Sequence, residues 1–193
     1  MSLEHLLVVR HGQTEANENE IEAGPLDYPL NKKGRKEVRF MSKVLSDVKV
    51  KAVYSSPVFR AMQTAEILAR PHKLKVKTLE DLTEAKIKPG FVGKKGRHHI
   101  LENPEAFLET FDELRRRITR AMDVIKAKER GNVIVVSHGD VITTMLEVVV
   151  ERRMDAKRYY VMHAEPASLS IVDMRARPFL AEYNYRWKML SGL

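Results

Sequence analysis

His5-Leu6-Leu7-Val8-Val9 is a short apolar run, and it passes directly into Arg10-His11-Gly12, a polar turn closed by glycine. A brief run without polar alternation predicts a strand covered on both faces, as in a parallel sheet. The same arrangement returns late in the chain. Val133-Ile134-Val135-Val136, all β-branched, leads into Ser137-His138-Gly139-Asp140. β-Branched residues favour the pleated, buried surface of a central strand.

Between and after these two runs, strand-like and helix-like segments alternate. Asn31 is an N-cap candidate for a helix over about 32–46, with Val38, Met41, Val44, Leu45 and Val48 at helical spacing. Ala52-Val53-Tyr54 reads as a strand, and Ser55-Ser56-Pro57 as the start of a helix whose small face is Ala61, Ala65 and Leu68. Lys75 to Leu79 reads as a third strand. A long helix is expected after Asn103-Pro104, with Phe107, Phe111, Leu114, Ile118, Ala121, Met122 and Ile125 as its apolar stripe. A helix over about 141–150 and a strand pair, Ser168 to Met174 and Phe179 to Tyr183, close the chain. Alternation of this kind predicts an α/β fold, three layers α/β/α around a central, mostly parallel sheet. Residues 1–193 fit one domain, with a basic loop or lid at about 86–103.

Composition narrows the function classes. The chain has no cysteine, which excludes disulfides, thiolate metal sites and cysteine nucleophiles and suits a cytoplasmic protein. It has no apolar run of membrane-spanning length, and Met1 to Leu7 has no basic region leading into a long apolar stretch, so neither a membrane partner nor a signal peptide is expected. A net charge of +8 reads for most of the lysines as a solvated basic surface, and its two functional readings are attraction of small anionic substrates or nucleic-acid binding.

In parallel α/β sheets, ligands collect beyond the carboxyl ends of the strands. Two strand–His–Gly turns therefore place His11 and His138 on one sheet edge, each before a helix start whose free N–H groups favour an anion. A lone histidine is more often a satisfied core or surface residue, and His5, His72 and His163 fit that description. The repeated pattern sets His11 and His138 apart. A metal site needs a further ligand, whereas the neighbours here are Arg10 and Arg60, so no metal and no cofactor is expected.

Val8-Val9-Arg10-His11-Gly12-Gln13-Thr14-Glu15-Ala16-Asn17 resembles the signature of the histidine phosphatase superfamily, the phosphoglycerate mutase-like family. The likeness continues in order through Pro29-Leu30-Asn31 with Gly34-Arg35, Tyr54-Ser55-Ser56-Pro57 with Arg60-Ala61 and Gln63-Thr64-Ala65, Leu82-Thr83-Glu84, and Val135-Val136-Ser137-His138-Gly139. Five ordered blocks carry far more weight than one isolated Arg-His-Gly. The resemblance implies a phosphoglycerate mutase-like fold and hydrolysis of a small phosphomonoester through a phosphohistidine on His11. Arg10 and Arg60 would fork onto phosphoryl oxygens, since guanidinium geometry suits oxyanions. Gly12, Asn17 and His138 would complete the phosphate site. Nearby cations would keep His11 unprotonated. Glu84 would act as general acid and then general base, with a carboxyl raised by burial or a neighbouring anion.

The chain departs from the family where a Gly-x-Trp-Glu-Gly segment often follows the acid. Here Gly90-Phe91-Val92-Gly93 stands instead, amid Lys86, Lys88, Lys94, Lys95, Arg97, His98 and His99. That basic loop is either a solvated surface or a lid favouring a substrate with a second anionic group. Two rivals remain. One is mutase-type phosphoryl transfer, against which the short candidate lid argues. The other is a basic nucleic-acid-binding or regulatory pseudoenzyme, against which the absence of any nucleic-acid motif and the intact Arg10, His11, Arg60, Glu84 and His138 argue. The expected partner is thus a small phosphorylated molecule and not nucleic acid. Monomer and homodimer stay open.

Overall fold

The computed structural model describes residues 2–95, 106–151 and 164–186. The elements are β1 (Leu3–Arg10), α1 (Glu15–Glu18), α2 (Lys32–Val44), β2 (Val50–Ser55), α3 (Phe59–Ala69), β3 (Val76–Thr78), α4 (Phe111–Lys128), β4 (Gly131–Ser137), α5 (Gly139–Val149), β5 (Leu169–Asp173) and β6 (Phe179–Tyr185). Among the described residues six strands form one sheet in the order β3-β2-β4-β1-β5-β6. The first four are mutually parallel, and β5 and β6 run antiparallel at one edge. The mostly parallel α/β sheet expected from the alternating pattern is therefore present. Among the described residues no helix is long and apolar enough to cross a membrane.

Alternation along the central strands divides the core in two. Val133 and Val135 of β4 join Leu6 and Val8 of β1 in packing against α4 and α5. Ile134 and Val136 join Leu7 and Val9 on the other face, against α2 and α3. Successive side chains of a strand point to opposite faces, so an unbroken apolar run is what a sheet with helices on both sides requires. Ala61, Ala65 and Leu68 are fully buried on that second face and let α3 approach the sheet closely.

Helix boundaries differ from the sequence reading in three places, each for a local reason. Helix α4 begins at Phe111, not after Pro104, because Thr110 and Glu113 form a reciprocal capping box. Phe111 consequently lies at the first turn and is half exposed, and Phe107 instead bridges to Ile87. Pro57 stands outside α3, which Val58 precedes as N-cap. Thr14 and Asn17 make a second capping box that starts the four-residue α1, which the apolar pattern did not reveal. Asn31 caps α2 as expected, its Oδ1 accepting from the Gly34 N–H at 2.8 Å.

Gly34 fixes how α2 sits on the loop after β1. A Cβ there would meet the Gln13 carbonyl oxygen at 2.2 Å and the Gln13 nitrogen at 2.5 Å. Both are backbone atoms of the loop that follows His11, so no side-chain rotation relieves the overlap. Overpacking costs about 1–3 kcal/mol where a side chain can give way. Gly34→Ala is expected to reach at least the upper end of that range and to lower turnover by shifting residues 12–14. Thermal unfolding and steady-state activity of the variant check this.

The described part of the basic loop is ordered by backbone bonds. The Gly93 N–H donates to the Glu22 carbonyl at 2.8 Å and the Glu22 N–H to the Lys94 carbonyl at 2.9 Å. Lys88 and Leu108 bond back across the loop to Ala106 and Lys86. Arg97, His98, His99, Asn103 and Pro104, like His163 and Trp187, lie outside the described residues.

Candidate active site

The two strand–His–Gly turns meet because of strand register. Arg10 of β1 pairs with Ser137 of β4, so His11 and His138 are the next residues of adjacent parallel strands. Their rings contact edge to face, with centroids 5.2 Å apart. Ser55 of β2 pairs with Val136, which brings Ser56 alongside them. Three consecutive parallel strands thus deliver Ser56, His138 and His11 to one edge.

His11 is fully buried and its ring is oriented by its own turn. Nδ1 lies 2.9 Å from the Gly12 carbonyl oxygen. A carbonyl only accepts, so this contact places the proton on Nδ1 and leaves the Nε2 lone pair outward. Arg60 Nε donates toward that Nε2 at 3.3 Å. The rest of the Arg60 guanidinium is aimed by backbone, with its two terminal nitrogens donating to Leu26 O at 3.2 Å and Gly24 O at 3.1 Å. The peptide of His11 is tied on both sides, its N–H to Ser137 O and its carbonyl to the Ala167 N–H, each at 3.0 Å.

Arg10 is buried beside it and donates to Ala164 O. Its cation opposes the effect of burial on Tyr183. Burial, reinforced by the Glu165 carboxylate, still pushes that phenol up to about 12, so Tyr183 stays neutral around neutral pH. Gly12, expected among the phosphate-binding residues, directs its N–H to Thr64 Oγ1 at 3.0 Å and its carbonyl to His11. The carbonyl contact orients the His11 ring. A Cβ at Gly12 would also meet Val38 at 2.8 Å, so the turn packs directly on α2. Asn17 accepts from the Thr14 N–H and hydroxyl through Oδ1, and its Nδ2 amide is the group left to donate.

Glu84 follows a one-turn 3-10 helix (Glu80–Leu82) and reaches the same edge. Its Oε2 lies 3.6 Å from His138 Nδ1, and His138 Nε2 is 2.9 Å from Ser56 Oγ. The His138 ring thus stands between a carboxyl group and a hydroxyl. Asp81, the nearby acid, faces away and pairs with Arg120 at 2.8 Å. The five charged or titratable residues singled out from the sequence (Arg10, His11, Arg60, Glu84 and His138) are each no more than 9% exposed, and Arg60, His11, His138 and Glu84 form one run of contacts. The family-like blocks give Ser56 and Thr64 no role; strand register sets Ser56 beside His138, and the packing of α3 sets Thr64 under the Gly12 N–H.

With this geometry in hand, comparison with known proteins is decisive. The family model described as the histidine phosphatase superfamily (branch 1) matches residues 6–184. The chain belongs to that superfamily. It is 35% identical over 159 residues to phosphoglycerate mutase-like protein 4 of Arabidopsis thaliana, covering 74% of this chain and 69% of that protein. It is 31% identical over 188 residues to a bifunctional protein of Mycobacterium tuberculosis, covering 89% of this chain but only 50% of that protein's length. Among solved structures, a phosphoserine phosphatase variant from Entamoeba histolytica in complex with phosphoserine superposes with a TM-score of 0.82 over 96% of this chain and 99% of that one. At 20% identity that likeness carries the fold.

Proposed function

We propose that this histidine phosphatase superfamily member hydrolyses small phosphomonoesters through a phosphohistidine on His11. The observation that carries the reading is the presentation of His11 Nε2, with Nδ1 held on Gly12 O and Arg60 aimed at the same nitrogen. A neutral imidazole nitrogen so held attacks phosphorus in line. The N–P bond forms as the ester P–O bond breaks, and Glu84 passes its proton to the departing oxygen. Water then attacks the phosphohistidine. Its proton goes to the Glu84 carboxylate, the N–P bond breaks, and inorganic phosphate leaves with the His11 lone pair restored.

Arg10, Arg60, Asn17 and His138 bear the equatorial charge. Phosphoryl transfer draws most of its catalysis from such positioning and charge stabilisation. The relatives' names cover both a phosphatase and a mutase-like protein, and two features favour water as acceptor. The basic loop expected from the sequence is short, and its described residues 86–95 are tied to Glu22, two residues from the Gly24 carbonyl that aims Arg60. The exposed Lys86, Lys88, Lys94 and Lys95 on that segment support a substrate with a second anionic group.

The test is a panel of phosphomonoesters with and without a neighbouring carboxylate, assayed for free phosphate. Phosphate release is expected throughout, with lower KM for the carboxylated members and a KM that rises with salt. Isomerisation of 3-phosphoglycerate without phosphate release would contradict the hydrolytic reading.

A further inference from the structure

Glu84 sits in a stretch with little regular structure of its own. After Leu82 and Thr83 close the one-turn helix, residues 83–86 pair with no strand among the described residues. Besides the Leu108 N–H on the Lys86 carbonyl, a buried side chain from α4 holds them. Arg117 is 6% exposed and donates from all three of its nitrogens. Nη1 reaches Asp81 O at 2.7 Å and Thr83 O at 2.8 Å, and Nη2 reaches Glu84 O at 3.2 Å. Nε and Nη2 also donate to the two oxygens of Glu109, at 2.8 and 2.6 Å. These are five bonds, the full donor capacity of a guanidinium. Glu109 in turn accepts from the Lys86 N–H at 2.8 Å. From the sheet side, Ser137 Oγ donates to Leu82 O at 2.7 Å.

We propose that Arg117, clamped by Glu109, is a positioning residue that sets the reach of Glu84 to the leaving-group oxygen. The pair takes the backbone groups on both sides of Glu84 and ties them to a helix that packs on the sheet. Ser137, one residue before His138, ties the same turn to the strand that carries the second histidine. The acid and the histidine beside it therefore share one frame. The inference rests on Glu84 being the proton donor of the proposed hydrolysis. Its particular content is that donor placement, not nucleophile placement, depends on Arg117.

Lysine keeps the charge at 117 but offers three donors from a single point and cannot reproduce the fork. Misplacement of a reacting group by about 1 Å costs about 100-fold. In Arg117→Lys, kcat/KM for a simple alkyl phosphate is expected to fall about 30- to 100-fold, whereas 2,4-dinitrophenyl phosphate, whose leaving group needs no proton, is expected to stay within about threefold. Glu84→Gln, run alongside, tests the underlying reading, because it should show the same selectivity more strongly. If Glu84→Gln is unselective, the proton-donor assignment falls and the positioning role falls with it. If Glu84→Gln is selective but Arg117→Lys lowers both substrates equally, or neither, the positioning role alone is overturned. Should Arg117→Lys not fold by circular dichroism, Arg117→Leu/Glu109→Leu removes the pair without leaving a lone buried charge and is judged by the same two substrates. Loss of folding in both variants overturns positioning in favour of a purely structural clamp.

Discussion

His11→Ala is expected to lose on the order of 10⁴-fold or more in kcat, with folding retained. The residue is 1% exposed, and its ring meets its own turn, Arg60 and the His138 ring. The sheet edge that carries it is held by backbone bonds, His11 N–H to Ser137 O and Ala167 N–H to His11 O. These do not depend on the side chain. Removing the imidazole therefore removes the proposed nucleophile and leaves the scaffold. It also leaves Arg60 pointing at a gap, with its other nitrogens still fixed by Gly24 and Leu26. Phosphate affinity should persist while turnover is lost. Circular dichroism, a phosphate-binding titration and a turnover assay check the three parts together.

Glu84→Gln is expected to cost about 10³-fold in kcat/KM on alkyl phosphates, within the range that a positioned general acid contributes. The amide preserves size and can still accept from the Ala85 N–H, which the Glu84 carboxyl does at 3.2 Å. It cannot give up a proton. With a dinitrophenyl leaving group, kcat/KM should change by less than about tenfold, since departure then needs no acid. The second half-reaction still needs a base to activate water, so this substrate should show a burst of released phenol followed by slow turnover. Equal losses in kcat/KM on both leaving groups would remove Glu84 from the acid role.

The parts of this fold and site legible in the sequence are those set by short-range pattern. Val133 to Val136 reads as a buried strand because every residue is apolar and β-branched, and it lies in the middle of the sheet. Asn31 reads as a cap because side-chain capping is a local bond. The two strand–His–Gly turns read as partners because equivalent strand ends share one edge. Register adds what sequence spacing lacks: Arg10 opposite Ser137 turns two motifs 127 residues apart into one ring contact. The start of α4 was misplaced because Asn103-Pro104 carries a generic start signal, while the capping box at Thr110 and Glu113 lies inside an apolar pattern already read as helix. Arg117 was missed for a related reason. It lies three residues after Leu114 and four before Ala121, on the buried face of α4. An arginine at such a position must find partners inside the protein. Nothing short of the tertiary fold names them as the carbonyls around Glu84.

Gly12 shows the opposite case. The motif marks it as a phosphate-binding candidate, while in the fold its N–H is taken by Thr64 and its carbonyl by His11. A short motif marks where residues act together, and the division of labour among them is a matter of which atom faces which. The basic segment near the site follows the same rule. Its lysines were visible in the sequence, whereas its attachment to Glu22, two residues from the Gly24 carbonyl that aims Arg60, depends on the fold.

The proposed chemistry turns on a covalent intermediate at one nitrogen. The direct measurement is rapid quench of the enzyme with a phosphate-labelled substrate, followed by peptide mapping under alkaline conditions that preserve phosphohistidine. The expected result is acid-labile label on the peptide containing His11, linked through Nε2, in the wild-type enzyme and in Glu84→Gln, and none in His11→Ala. Label on another residue, or turnover by His11→Ala at the wild-type rate, would contradict it.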